Sequence, residues 1–354
     1  MDLNGKIVFS SGRAVDFDLW TLDLSSGVIT QLTRGSNLYD EPCWSPDGSN
    51  VAAICTGKDS IPSLVVMNAD GSGEHQLTHG IFAQHPTWSP CGKYLAFTGN
   101  ATNPNELDIY RCEVSTGQVE KLLAREGIER EPHFSPDGKK LLFASIQHNS
   151  TDPASQGSTN IWEYDLESKS ERALCSHPAH DYCPRYSPDG TQIAFVSHRN
   201  SRTEEEYLHQ LSAISNELKT SDLEEIDDAI RKILALQMDS DIYIMNSDGS
   251  NLRQLTKNEG CDVGICWSPD GKYLCYSSSV PGDSAQERLS VVSVSTGEEH
   301  HLSYDRTLLQ SEIGADEKNY LNQAWFQHLV PDFIERRFVD PSFWGEERRP
   351  NWKA

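Results

Sequence analysis

Short apolar runs of β-forming residues recur along this chain, each introduced by the same polar turn. Residues 51–55, 94–98, 141–145, 192–197 and 273–277 each follow a copy of one segment. The copies are Trp44-Ser45-Pro46-Asp47-Gly48, Trp88-Ser89-Pro90-Cys91-Gly92, Phe134-Ser135-Pro136-Asp137-Gly138, Tyr186-Ser187-Pro188-Asp189-Gly190 and Trp267-Ser268-Pro269-Asp270-Gly271. Proline presets φ at the second turn position and glycine accepts the left-handed conformation, so an aromatic-bearing strand reverses there into a hairpin partner. A third, alternating strand comes next, at 63–68, 160–164 and 241–246. Turns such as Asp70-Gly71 and Asp248-Gly249 lead to a fourth strand, which ends in Gln-Leu-Thr at 31–33, 76–78 and 254–256. About forty residues holding four strands is the size of one propeller blade.

The chain ends supply a sixth unit. Residues 4–11 read as the second strand of a repeat whose first strand is missing, and 18–23 continue as its third. Its partner is expected at 320–326, where Ala324-Trp325 aligns with Cys43-Trp44. The fold class is therefore all-β, a six-bladed β-propeller closed by pairing N- and C-terminal strands, which removes open sheet edges. The propeller should span 1–329, with an aromatic tail over 330–354 packed on its outside.

The pattern Trp-Ser-Pro-Asp-Gly-Lys, followed by Asp241-Ile242-Tyr243 and Arg253-Gln254-Leu255-Thr256, resembles the TolB-like propeller repeat, which also occurs in tricorn-type and prolyl-oligopeptidase-type propellers. The resemblance implies the propeller fold. It leaves function open, because the superfamily includes peptide-binding scaffolds, protease gating domains and metal-dependent polysaccharide lyases. A Gly-x-Ser-x-Gly nucleophile elbow is missing from the sequence, which argues against a serine hydrolase.

The net charge of −23 repels nucleic acid and anionic membrane surfaces, and no apolar run approaches the length of a membrane-spanning helix. The chain enters its first strand almost at once, without a charged-apolar-small leader. Nine cysteines, an odd number and several inside predicted strands, read as free thiols. These features give the expectation of a soluble, cytoplasmic protein.

One stretch breaks the repeat. Residues 200–238 carry no strand signal and read as two helices, each opened by a capping box, Thr203 to Glu206 and Ser221 to Glu224. This helical hairpin either packs on a blade, covers one mouth of the channel, or forms a homodimer surface.

The remaining place for chemistry is the central channel. Aligned on the repeat aromatic, Glu41, His85, Glu131, Cys183, Gly264 and Asn322 fall at one level, with Asp40, Gln84, Arg130 and Tyr182 just before them and His133 and Arg185 just beyond. Repeat symmetry does not require such different polar side chains. A water-filled channel is one reading, and a mouth that binds a small molecule, peptide or protein is the leading functional one. The alternative is a metal-assisted lyase or hydrolase, in the manner of oligogalacturonate lyases. In that case Glu41, His85 and Glu131 would hold a divalent metal ion and His133 or Tyr182 would serve as acid or base.

Overall fold

The computed structural model describes residues 5–302 apart from 12–16, 59, 101–106, 124, 126, 148–157, 200–204, 207–208, 211–238, 258–259 and 281–282. Their strands form six antiparallel sheets arranged in chain order. The first has three strands, Lys6–Ser11, Asp18–Asp23 and Ile29–Gln31, and each of the other five has four. Those five begin with Leu38–Trp44, Phe82–Trp88, Gly127–Phe134, Asp181–Tyr186 and Asp262–Trp267. Each of these opening strands touches the opening strand of the next sheet, so they form the inner edges of the blades. The result is the six-bladed β-propeller that the repeat implies.

Each blade is built by two recurrent polar devices. In the hairpin turn, glycines 48, 92, 138, 190 and 271 sit at φ between 68° and 71°, the left-handed region that glycine enters without a Cβ penalty. Ser45 Oγ donates to Asp47 Oδ1 (2.6 Å) and accepts the Asn50 N–H (2.9 Å), and the same pair of bonds recurs at Ser135, Ser187 and Ser268. The second device joins the third and fourth strands and explains the Gln-Leu-Thr ending. Thr33 Oγ1 accepts the Leu19 N–H (2.9 Å) and donates to Asp18 Oδ1 (2.8 Å), while Gln31 Nε2 donates to Asp18 Oδ2 (2.9 Å). The clasp recurs with Asp241, Gln254 and Thr256. Buried carboxylates thus find hydrogen-bond partners in their own sheet, as their desolvation requires.

The core lies between adjacent sheets. Between the second and third, Ala52, Leu64, Leu95 and Phe97 are fully buried, and equivalent clusters fill the later interfaces. Indoles tie neighbours together: Trp88 Nε1 donates to Cys43 O (3.2 Å) and Trp267 Nε1 to Arg185 O (3.1 Å), each reaching the inner strand of the preceding sheet. Trp44 Nε1, whose acceptor by this rule would belong to the inner strand of the first sheet, has no hydrogen-bond partner among the described residues.

The chain divides into two units, Met1–Arg306 and Thr307–Ala354, and the described residues all belong to the first. The closing segment expected at 320–326, with Asn322, and the tail 330–354 lie outside the described residues. So does most of the expected helical hairpin, of which Glu205, Glu206, His209 and Gln210 are described and helical.

Candidate functional site

The inner strand of every four-stranded sheet carries a bulge, and it falls at the residues aligned in the sequence. Register shifts occur between Asp40 and Cys43, Gln84 and Thr87, Arg130 and His133, Tyr182 and Arg185, and Val263 and Cys266. At the first bulge residue φ is 51° for Glu41, 52° for His85, 58° for Glu131, 52° for Cys183 and 65° for Gly264. The next residue is proline in four of the five (Pro42, Pro86, Pro132, Pro184), which has no N–H to give to the ladder and so suits an interrupted strand. Left-handed backbone at a non-glycine residue costs on the order of 1 kcal/mol. Four side chains accept that cost where the sixth sheet uses glycine.

Glu41, His85 and Glu131 converge as their alignment requires. His85 Nε2 lies 3.4 Å from Glu41 Oε1 and 3.9 Å from Glu131 Oε1. Each carboxylate also accepts a backbone N–H from the bulge of the next sheet: Glu41 Oε2 from His85, and Glu131 Oε2 from Cys183 at 2.5 Å. Thr98, on the second strand of the third sheet, anchors two members at once. Its Oγ1 accepts the Glu131 N–H (3.0 Å) and lies 3.2 Å from His85 Nδ1. Asp40 Oδ1 accepts the Glu41 N–H (2.8 Å) and the Ser10 hydroxyl (2.5 Å), which links the ring to the first sheet. Burial and the neighbouring Asp40 charge push the Glu41 carboxyl up to about 8, against the pull of its bond from the His85 N–H.

Arg185 is the cation of this channel. Its Nη1 donates to Pro184 O (2.9 Å), and its charge bears on Glu41 and Cys43 of the second sheet, His133 of the fourth, Cys183 of its own and Cys266 of the sixth. A side chain from the fifth sheet that acts on the second, across the ring, projects into the channel. Sequence alignment named Arg185 only as a flank of the ring; its reach is set by side-chain length and ring geometry.

The two acid/base candidates are placed differently. His133 Nδ1 accepts the Tyr186 N–H (3.3 Å), and burial, reinforced by Arg185, holds its imidazole down at about 3. It is a neutral hydrogen-bond acceptor at ordinary pH. The Tyr182 ring packs against the apolar clusters of the fifth sheet and lies 5.3 Å from the His198 ring, and burial raises its hydroxyl well above the usual phenol range. Gln84 and Arg130 sit half-buried on the step before the bulge. Among the described residues no group of three or more His, Cys, Asp or Glu side chains is arranged to hold a metal ion. Glu41 Oε2 and Glu131 Oε2 instead accept neighbouring backbone N–H groups.

Comparison with known proteins bears on the family and the fold. No protein-family model matches the chain. The Tol-Pal system protein TolB of Francisella tularensis subsp. mediasiatica is 27% identical over 195 residues, covering 54% of this chain and 42% of the relative, so the match spans less than half the length of that curated protein. TolB from Acinetobacter baumannii superposes with a TM-score of 0.62 at 21% identity, covering 83% of this chain and 62% of that one. A puromycin-hydrolyzing peptidase of Mycobacterium tuberculosis superposes at 0.54 with 16% identity, over 86% of this chain and 43% of that one. The likeness to the solved structures is one of fold. The cytoplasmic expectation is corrected by the sequence matches: the curated relatives are periplasmic Tol-Pal proteins, and they point to the periplasm. With its repeats, its six sheets and these likenesses taken together, the chain is a six-bladed β-propeller that is similar in sequence and fold to TolB.

Proposed function

We propose that this chain is a binding propeller whose channel mouth takes an extended peptide segment of a protein partner. The observation that carries the reading is the contrast between a repeated scaffold and an unrepeated lining. Five sheets share one bulge geometry, yet its first residue is Glu41, His85, Glu131, Cys183 or Gly264 in turn, and all five stand in left-handed backbone, four of them with a side chain. Strained, chemically distinct side chains held on rigid strands are what a specific polar site requires. Arg185 adds a charge that can take a carboxylate, and it stands beside Glu41 in the channel. The TolB relatives carry the name of the Tol-Pal system, so components of such a system are the first partners to try.

The metal-assisted lyase or hydrolase reading has less support. It needs Glu41, His85 and Glu131 free to turn toward an ion, and two of them already staple the next sheet.

The test is calorimetric titration of the purified chain with soluble Tol-Pal system components, repeated with Arg185→Ala. Binding that weakens at least tenfold in the variant, with an unchanged melting temperature, supports the channel site. Equal binding by both proteins overturns it.

A further inference from the structure

At the level just beyond the bulge, the five inner strands place Cys43, Thr87, His133, Arg185 and Cys266 opposite Ala52, Ala96, Leu142, Ala194 and Cys275 of their hairpin partners. Four of these pairs set a side chain against an aliphatic residue. The sixth sheet alone sets thiol against thiol, and no other two of the nine cysteines are register partners.

The geometry of this pair suits a bond. Ser268 N–H donates to Tyr273 O (2.9 Å), so 268 and 273 form a hydrogen-bonded pair. Antiparallel ladders alternate, which makes Trp267 and Leu274 a non-bonded pair and Cys266 and Cys275 a hydrogen-bonded one. Such pairs have Cα atoms about 5.5 Å apart, inside the ~4.4–6.8 Å that a disulfide spans. Residues directly opposite also project to the same face. Cys266 is solvent-exposed and Cys275 half-buried behind it. The neighbouring Cys275 thiol, helped by Arg185, lowers the Cys266 thiol from its ordinary range, and Cys266 in turn raises that of Cys275 well above its own. An accessible, thiolate-prone sulfur backed by a second thiol is the arrangement of an attacking and a resolving cysteine.

We infer that Cys266 and Cys275 are a reversible dithiol–disulfide site on the sixth sheet, oxidised by small disulfides that reach the exposed Cys266. The Cys266 thiolate attacks one sulfur of glutathione disulfide, forming a mixed disulfide and releasing one glutathione thiolate. Cys275 then loses its proton to solvent and attacks the Cys266 sulfur, closing the cross-strand bond and expelling the second glutathione. Two protein thiols are oxidised and one glutathione disulfide is reduced to two thiols. Closure also removes an ionisable sulfur from beside Arg185, so the charge of the lining depends on redox state. The inference stands independently of the peptide-binding reading.

The test treats the native full-length chain with glutathione disulfide, quenches with acid, and counts thiols in the unfolded protein. Loss of two of the nine thiols is expected. Trypsin cuts after Lys272, so the product should appear as two peptides joined through Cys266 and Cys275. Cys275→Ser should stop at a glutathione adduct on Cys266, and Cys266→Ser should leave Cys275 unmodified. A stable glutathione adduct on Cys266 of the unsubstituted chain, no reaction at all, or a disulfide that pairs other cysteines would each overturn the assignment.

Discussion

The rim turns and the channel bulges are both places where the backbone enters left-handed space, and they use it in opposite ways. At the rim the residue is glycine in all five turns, and in four of them the same serine–aspartate bond stands beside it. In the channel the same conformation is given to Glu41, His85, Glu131 and Cys183, with glycine only at Gly264. The rim repeats because every blade needs the same hairpin. The channel varies because only the backbone geometry of the bulge is shared, and what projects from it is left free for a task of its own.

If that division holds, damage to the repeated devices should cost stability. Asp18→Ala leaves Thr33 and Gln31 without their buried acceptor and should lower unfolding free energy by about 2–4 kcal/mol, read from urea denaturation. A loss under 0.5 kcal/mol would show that the clasp is incidental.

Substitution in the channel should instead change pH behaviour. The Glu41 carboxyl is raised to about 8 in the folded protein from an ordinary 4.5, so the folded state holds its proton over that interval and the unfolded state does not. Stability therefore falls as pH rises through this window. Glu41→Gln keeps an oxygen for the His85 N–H and removes the titration. Its stability relative to the unsubstituted chain should grow by about 2 kcal/mol between pH 5 and pH 9 in paired thermal melts. Parallel pH profiles would contradict the raised Glu41 carboxyl.

Two smaller changes sharpen the comparison. Gly264→Ala adds a Cβ that meets nothing within 4 Å at φ +65°, so backbone strain alone should cost about 1 kcal/mol. Cys91→Asp restores the carboxylate that Ser45, Ser135, Ser187 and Ser268 all have, where Ser89 now faces a sulfur at 3.4 Å. It should gain about 0.5 kcal/mol in chemical denaturation.

The blade count, the strand order and the aligned ring were readable because each depends on local chemistry that the sequence repeats. Ser-Pro-Asp-Gly carries its turn, and Gln-Leu-Thr marks the edge strand, although its pairing with Asp18 or Asp241 shows only in the structure. The convergence of Glu41, His85 and Glu131 followed from equivalence alone. The part played by Thr98 did not, since it comes from a neighbouring strand and bonds across sheets. The surroundings of Tyr182 and His133 were not readable for a related reason: one step along a bulged strand decides between channel and core, and alternation cannot be counted through a bulge. The localisation expectation rested on charge, free thiols, the lack of a membrane-length apolar run and the missing leader, and the sequence matches overturned it.

Partners are expected to engage the channel lining and leave the rim turns untouched. Amide hydrogen exchange of the chain with and without a bound Tol-Pal system component tests it most directly. Slowed exchange is predicted in 38–44, 82–88, 127–134 and 181–186, with the turns around Gly48, Gly138 and Gly190 unchanged. Protection confined to the outer strands and turns, with the inner strands unaltered, would contradict it.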